Sequence, residues 1–162
     1  MKTSYEVRAM KFAVKLAELF KDCCYLDDYI YVINYYNKTH AIKLKYNYGI
    51  SRIAIIRSDY VIKFDYGEEY DFGNCASEGR IYAQAVRDGM EHLLAKTTVF
   101  SLHGHSGCIM PRVKGINSRH KYWNDYCTDE EYLWLRNHVY DLHRGNVGYR
   151  NGKVCIIDYA AG

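Results

Sequence analysis

The chain has 162 residues, 49% of them apolar and 25% charged, which fits a single globular domain and excludes disordered, collagen-like and membrane-embedded classes. A formal net charge of +3 neither marks a nucleic-acid footprint nor rules one out, and no nucleic-acid partner is indicated. No apolar run approaches the roughly 18 residues that cross a bilayer, so no membrane partner is expected.

The N-terminal stretch MKTSYEVRAMKFAVKLAELFKDCC carries charges throughout, so no signal peptide is expected. Within it, Val7, Met10, Phe12, Ala13, Leu16, Leu19 and Phe20 recur at helical spacing and predict an amphipathic helix over 5–21. Leu26 to Asn37 reads as a second helix, with Asp27 and Asp28 suited to its N-terminus. HAIKLKY, SRIAIIR and YVIKFDY are short, β-branched and aromatic. Turn residues around Gly49 and Asp59 separate them, and they predict three antiparallel strands.

NCASEGRIYAQAVRDGMEHLLA returns to helical spacing, with Ser77 as expected N-cap and Glu78 in the first turn. TTVFSLHG and GCIMPRV predict two further strands. TDEEYLWLRNHV predicts a helix capped by Thr128, with acids in its first turn. NVGYRNG and KVCIIDY predict a hairpin about Asn151-Gly152.

The six cysteines, Cys23, Cys24, Cys75, Cys108, Cys127 and Cys155, form no CxxC pair. Reduced thiols in a cytoplasmic setting are the expectation. His103, His105 and Cys108 in HGHSGC invite a zinc site, but zinc takes about four ligands and no second cluster follows. A turn between strands is expected there instead.

Phosphoryl transfer needs cations for the phosphates, oxygen ligands for magnesium and a base for the attacking hydroxyl. DLHRGN supplies Asp141 and, five residues on, Asn146, the separation found in the kinase catalytic loop HRDxxxxN. Asp158 follows across the hairpin, at the end of KVCIID, where a kinase carries its DFG aspartate. Upstream, YVIKF places Lys63 where VAIK has its lysine, and Glu78 lies 15 residues further along.

These four elements, in this order, resemble the protein-kinase-like superfamily. His143, two residues after Asp141, makes the loop more similar to atypical and aminoglycoside-phosphotransferase-type members. The compact arrangement over about residues 40–160 is similar to small kinase-like proteins of bacteriophages. The resemblance implies an α+β chain of protein-kinase-like fold. A five-stranded antiparallel N-lobe sheet with one main helix would span 39–113, and a shortened helical C-lobe with the catalytic-loop hairpin 114–162. The whole of 1–162 would be one kinase-like domain, with 1–38 a helical extension expected to cover apolar surface that missing C-lobe helices leave bare.

The sequence departs from the family pattern at several points. GxGxxG is absent between the first two strands, where only Gly49 is available to approach phosphate; Val139 replaces the histidine of HRD; no activation segment or APE motif follows Asp158.

The resemblance implies ATP and Mg²⁺ as cofactors. Lys63 would grip the α- and β-phosphates and Glu78 would position Lys63. Gly49 would lie near phosphate, and backbone groups from Met110 to Val113 would meet the adenine. Asn146 and Asp158 would hold Mg²⁺, and Asp141 would orient the acceptor hydroxyl. ATP would lie between the sheet and the hairpin. The implied function is a phosphotransferase acting on protein Ser, Thr or Tyr. A pseudokinase-like module contacting a host protein, in the host cytoplasm if viral, and a small-molecule kinase stay open as alternatives.

Each candidate also has a plainer reading. Lys63 would be a solvent-facing residue of an alternating strand. Glu78 would only complement a helix dipole, with Glu68, Glu69 and Glu91 as competitors. Asp158 would be a turn residue. His143 is expected to be structural, and Arg144 either touches phosphate or is solvated.

Overall fold

The computed structural model describes residues 4–66, 74–115, 122–139 and 142–159. The chain is α+β and divides into two compact units, Met1–Tyr70 with Thr98–Arg112, and Asp71–Thr97 with Val113–Gly162.

The first unit holds helices α1 (Tyr5–Leu19) and α2 (Leu26–Thr39) and strands β1 (Lys45–Tyr48), β2 (Arg52–Ile56), β3 (Tyr60–Asp65), β4 (Thr98–Leu102) and β5 (His105–Pro111). The strands form one antiparallel sheet in the order β1-β2-β3-β5-β4, as their alternating patterns predict. Ser4 caps α1 by accepting from Val7 N–H. Ala9, Ala13, Leu16 and Ala17 give the helix a narrow buried stripe that lets it approach the sheet closely. Asp28 accepts from the backbone N–H groups of Cys24 and Tyr25 at the start of α2, which holds its carboxyl below the usual range.

One sheet face presents Ile53, Ile55, Ile62, Phe64, Phe100 and Ile109, which share a buried cluster with α1 and with Tyr29 and Ile33 of α2. The buried residues of the two N-terminal helices belong to the cluster of the five-stranded sheet. Gly107 lies opposite Phe64 and Phe100. A Cβ there would stand 2.3 Å from Phe100 Cζ and 2.5 Å from the Lys63 carbonyl oxygen, so the Phe100 ring fills the space a side chain would need.

The strand expected from His40 starts only at Lys45. The Asn37 side chain explains the delay. Its Oδ1 accepts from Leu44 N–H at 2.7 Å and its Nδ2 donates to Leu44 C=O at 3.1 Å, so an amide takes the place of a neighbouring strand. The HGHSGC segment is a tight turn, with His103 and Gly104 both at positive φ.

The second unit holds α3 (Cys75–Asp88), strand β6 (Lys114–Gly115), α4 (Asp129–His138) and strands β7 (Val147–Arg150) and β8 (Lys153–Ile156). The N-cap of α3 is Asn74 rather than the expected Ser77. Asn74 Oδ1 accepts from both the N–H and the hydroxyl of Ser77, each at 2.8 Å, so Ser77 becomes the capped residue. Thr128 and Glu131 form the capping box expected at α4. β6, β7 and β8 make a small antiparallel sheet, of which two-residue β6 was not expected. Asn151 and Gly152 turn the hairpin with φ of 52° and 79°, the geometry that favours this dipeptide. Ala85, Leu93, Leu94, Trp134, Leu135, Val139, Val147, Val154, Ile156 and Tyr159 form the core.

Candidate functional site

Lys63 sits in the middle of β3, paired across strands with Ala54 and Cys108. Ile62 and Phe64 point into the cluster beneath α1, so alternation turns Lys63 to the other face. It is 8% exposed there, which excludes a solvated alternation residue. A buried ammonium is kept only where it is paired or hydrogen-bonded, and Lys63 is the buried charge of this strand, whose other charged residue, Asp65, is half-buried at its end.

Glu78 is in the first turn of α3 and fully buried. Full burial goes beyond what complementing a helix dipole requires, and Glu91, its described competitor, is exposed. Glu68 and Glu69 lie outside the described residues. Lys63 belongs to the first unit and Glu78 to the second.

Gly49 lies in the exposed β1–β2 connection. A Cβ there would meet nothing within 4 Å, so no packing inside the chain demands the glycine. Its N–H donates to Arg52 C=O at 2.9 Å, and the Tyr66 hydroxyl donates to its carbonyl. Met110 is buried on β5 opposite Val61, and Val113 is half-buried just beyond the strand.

The loop before β7 is shaped by its own polar groups. His143 Nδ1 accepts from Gly145 N–H at 3.0 Å, and Asn146 N–H donates to His143 C=O at 2.9 Å, closing a single 3₁₀ turn over Arg144–Asn146. Gly145 is held so close that a Cβ would stand 2.8 Å from His143 Cε1. This bears out a structural part for His143.

Beyond the last ladder pair, Val147 with Ile156, Ile157 N–H donates to Asn146 C=O at 2.9 Å. Asn146 and Asp158 therefore stand at the same open end of the hairpin, both half-buried. An amide oxygen and a carboxylate are hard oxygen donors, the kind of ligand a divalent cation such as Mg²⁺ would take. Among the described residues no three His, Cys, Asp or Glu cluster as a metal site. Asp141 lies outside the described residues.

Sequence reasoning passed over Tyr159 and Thr97. Tyr159 is fully buried; its hydroxyl donates to Ala95 C=O at 2.9 Å and is bonded to Thr97 Oγ1. The signal was a phenol directly after Asp158, where an apolar ring suffices for packing.

His105 Nδ1 is hydrogen-bonded to the Tyr29 hydroxyl at 2.9 Å, and His103 meets Glu18 at 3.2 Å, so the HGHSGC histidines have structural partners. The described cysteines form no disulfide. Burial pushes the thiols of Cys23, Cys127 and Cys155 up to about 11, away from the thiolate a nucleophile needs. No described helix is long and apolar enough to cross a membrane.

No protein-family model matches the chain, and no curated protein matches it. Solved structures to which the chain is similar include two of WbdD. One is a co-crystal of WbdD with a kinase inhibitor, at 14% identity and a TM-score of 0.38, covering 74% of this chain and 33% of that one. The other is the bifunctional kinase-methyltransferase WbdD, at 17% identity and a TM-score of 0.32, covering 68% and 30%. The chain thus spans about a third of the length of these neighbours, and a likeness at such scores is a likeness and nothing further.

Proposed function

We propose that the chain is an ATP- and Mg²⁺-dependent phosphotransferase of kinase-like fold, acting on the hydroxyls of protein Ser, Thr or Tyr. The observation that carries the reading is the hairpin, which sets Asn146 beside the residue preceding Asp158 by a backbone hydrogen bond. Asn146 and Asp158, two residues with oxygen-bearing side chains, lie at that one end of the hairpin, which supports the reading. The burial of Lys63 and of Glu78 supports the same reading.

In this scheme Lys63 holds the α- and β-phosphates and Glu78 keeps Lys63 oriented. Backbone groups between Met110 and Val113 meet the adenine, and Gly49 lies near phosphate. Asn146 and Asp158 are the ligands for Mg²⁺, which when bound neutralises charge on the phosphate oxygens. Asp141 accepts the proton of the acceptor hydroxyl as its oxygen bonds to the γ-phosphorus and the bond to the ADP oxygen breaks.

A second reading has a specific observation behind it. The β1–β2 connection has one glycine, tethered by Tyr66, and such a turn makes a poor phosphate lid. That favours a pseudokinase-like module that contacts a host protein in the cytoplasm. A small-molecule kinase is a third reading, on the same site residues.

Incubation with γ-labelled ATP and Mg²⁺, alone and with a cell lysate, tests the proposal. Transfer to a protein, lost in Asp141→Asn while nucleotide binding persists, is the expected result; a positioned base contributes about 10²–10⁴-fold in rate. Absence of transfer from the wild type to any protein or small molecule, with nucleotide still bound, would establish the binding module instead.

A further inference from the structure

Asp158 lies just past the end of β8, where chains ordinarily fray. Three bonds prevent that. Ala95 N–H donates to Ile156 C=O at 2.8 Å, and Ala95 C=O receives the Tyr159 hydroxyl at 2.9 Å. The residues flanking the Ile157-Asp158 segment are thus tied to the same residue, Ala95, of a neighbouring segment, which runs parallel to β8 through the bridge between Leu94 and Ile156. Thr97, 7% exposed, adds the third bond, from its Oγ1 to the Tyr159 hydroxyl.

The ring of Tyr159 is already buried among Leu93, Leu94, Leu135 and Val147. A phenylalanine would supply the same apolar area, whereas a buried hydroxyl costs free energy unless it is bonded. Its use here is directional: it fixes where the main chain stands one residue after Asp158.

We infer that Tyr159 is a positioning residue for Asp158, its hydroxyl bracing the residue against Ala95 and Thr97 so that the carboxylate is held ready for a divalent cation and its nucleotide. The inference rests on the phosphotransferase reading, and goes beyond it in naming what keeps the cation ligand in place. It predicts that the brace acts on ligand affinity more than on folding, because removing the hydroxyl lowers the fraction of molecules with Asp158 in the competent position.

The test uses the full chain and three proteins: wild type, Tyr159→Phe and Thr97→Val. Each is titrated with ATP and Mg²⁺ by thermal shift, and amide hydrogen exchange at 157–159 is followed without ligand. In Tyr159→Phe, affinity for the Mg²⁺ nucleotide should fall about tenfold, and exchange at 157–159 should quicken. Thr97→Val, which leaves the Ala95 bond in place, should move both in the same direction by less. Wild-type affinity in Tyr159→Phe overturns the inference, whether or not exchange quickens, and unchanged Thr97→Val curves remove Thr97 from the brace. The wild-type curve is read first: if it shows no nucleotide-dependent shift, the phosphotransferase reading has failed, an outcome distinct from a normal wild-type response retained in Tyr159→Phe.

Discussion

Lys63 and Asp158 are held by different means. Lys63 is the fourth residue of a six-residue strand paired on both sides, so register fixes it and many backbone bonds share the task. Asp158 follows a four-residue strand, and its neighbours are held by a few bonds: backbone bonds from Ala95 to Ile156 and from Ile157 to Asn146, and the Tyr159 hydroxyl to Ala95 and Thr97. The first unit therefore resists change at any one polar contact and yields to loss of core volume. The second yields to loss of single hydrogen bonds at helix caps and loop ends.

Both tryptophans, Trp123 and Trp134, lie in the second unit. Their fluorescence reports on the surroundings of residues in that unit, while circular dichroism reports on the whole chain. This separation lets the contrast be broken or sharpened one substitution at a time.

The largest effect is expected at Phe64, whose ring meets Phe20 at 5.3 Å and Phe100 at 5.5 Å between centroids. Phe64→Ala should cost about 3–5 kcal/mol in urea unfolding read by circular dichroism. Lys63→Met, one residue away on the other face, should instead keep the far-ultraviolet spectrum and remove nucleotide-dependent transfer. Loss of fold in Lys63→Met with Phe64→Ala well tolerated would reverse the account of that strand.

Gly107→Ala comes next. The new methyl would meet the Lys63 carbonyl oxygen as well as the Phe100 ring; the ring has room to turn, but the backbone oxygen does not. About 1–3 kcal/mol of destabilisation is expected, and a neutral Gly107→Ala would show that the sheet is looser than its register implies.

Thr128→Ala removes the hydroxyl that accepts from Glu131 N–H at 3.1 Å. It should cost about 1 kcal/mol and appear in tryptophan fluorescence. A change in circular dichroism alone would argue against assigning that cap to the second unit's stability.

The smallest effect is a pH dependence at Glu131. Burial works against its charge, but the bonds from Thr128 N–H, His92 and the Thr128 hydroxyl prevail and hold its carboxyl below the usual range. A depressed folded pKa contributes stability that is complete above the ordinary Glu value, about 4.3, and is lost as pH falls through the lower folded value. Glu131→Gln should lower stability at neutral pH and flatten the acid limb of the fluorescence-monitored curve. An acid limb identical to wild type would remove Glu131 from the titration.

Much of the first unit was legible because its strands are apolar runs at period two, separated by turn residues, and its helices repeat at 3.6. β1 was overextended because Asn37, at the end of the preceding helix, supplies the hydrogen bonds that a strand neighbour would otherwise give to Leu44. In the second unit, α4 and the Asn151-Gly152 hairpin announced themselves by local chemistry. The cap of α3 was misread because Ser77 and Asn74 are both good caps, and only the folded chain decides which accepts. β6 was invisible, since two residues carry no period.

The candidate site was legible as residue types at spacings, and the structure brings Asn146 and Asp158 to one hairpin end. Tyr159 was not legible in the same way, because a phenol and a phenyl ring give the same apolar signal and only the buried partners Ala95 and Thr97 distinguish them.

The central claim is that this chain binds a Mg²⁺ nucleotide through the end of the β7–β8 hairpin. Its most direct test is a thermal-shift titration of wild type and Asp158→Asn with ATP, in Mg²⁺ and separately in Mn²⁺. A ligand selective for the native state stabilises by about 2.7 kcal/mol at 100 times its Kd, so the wild type should melt at rising temperature as ATP reaches millimolar concentration, and Asp158→Asn should need far more nucleotide for the same rise. A wild-type melting temperature that stays flat with both cations, or an equal rise in both proteins, would contradict the claim.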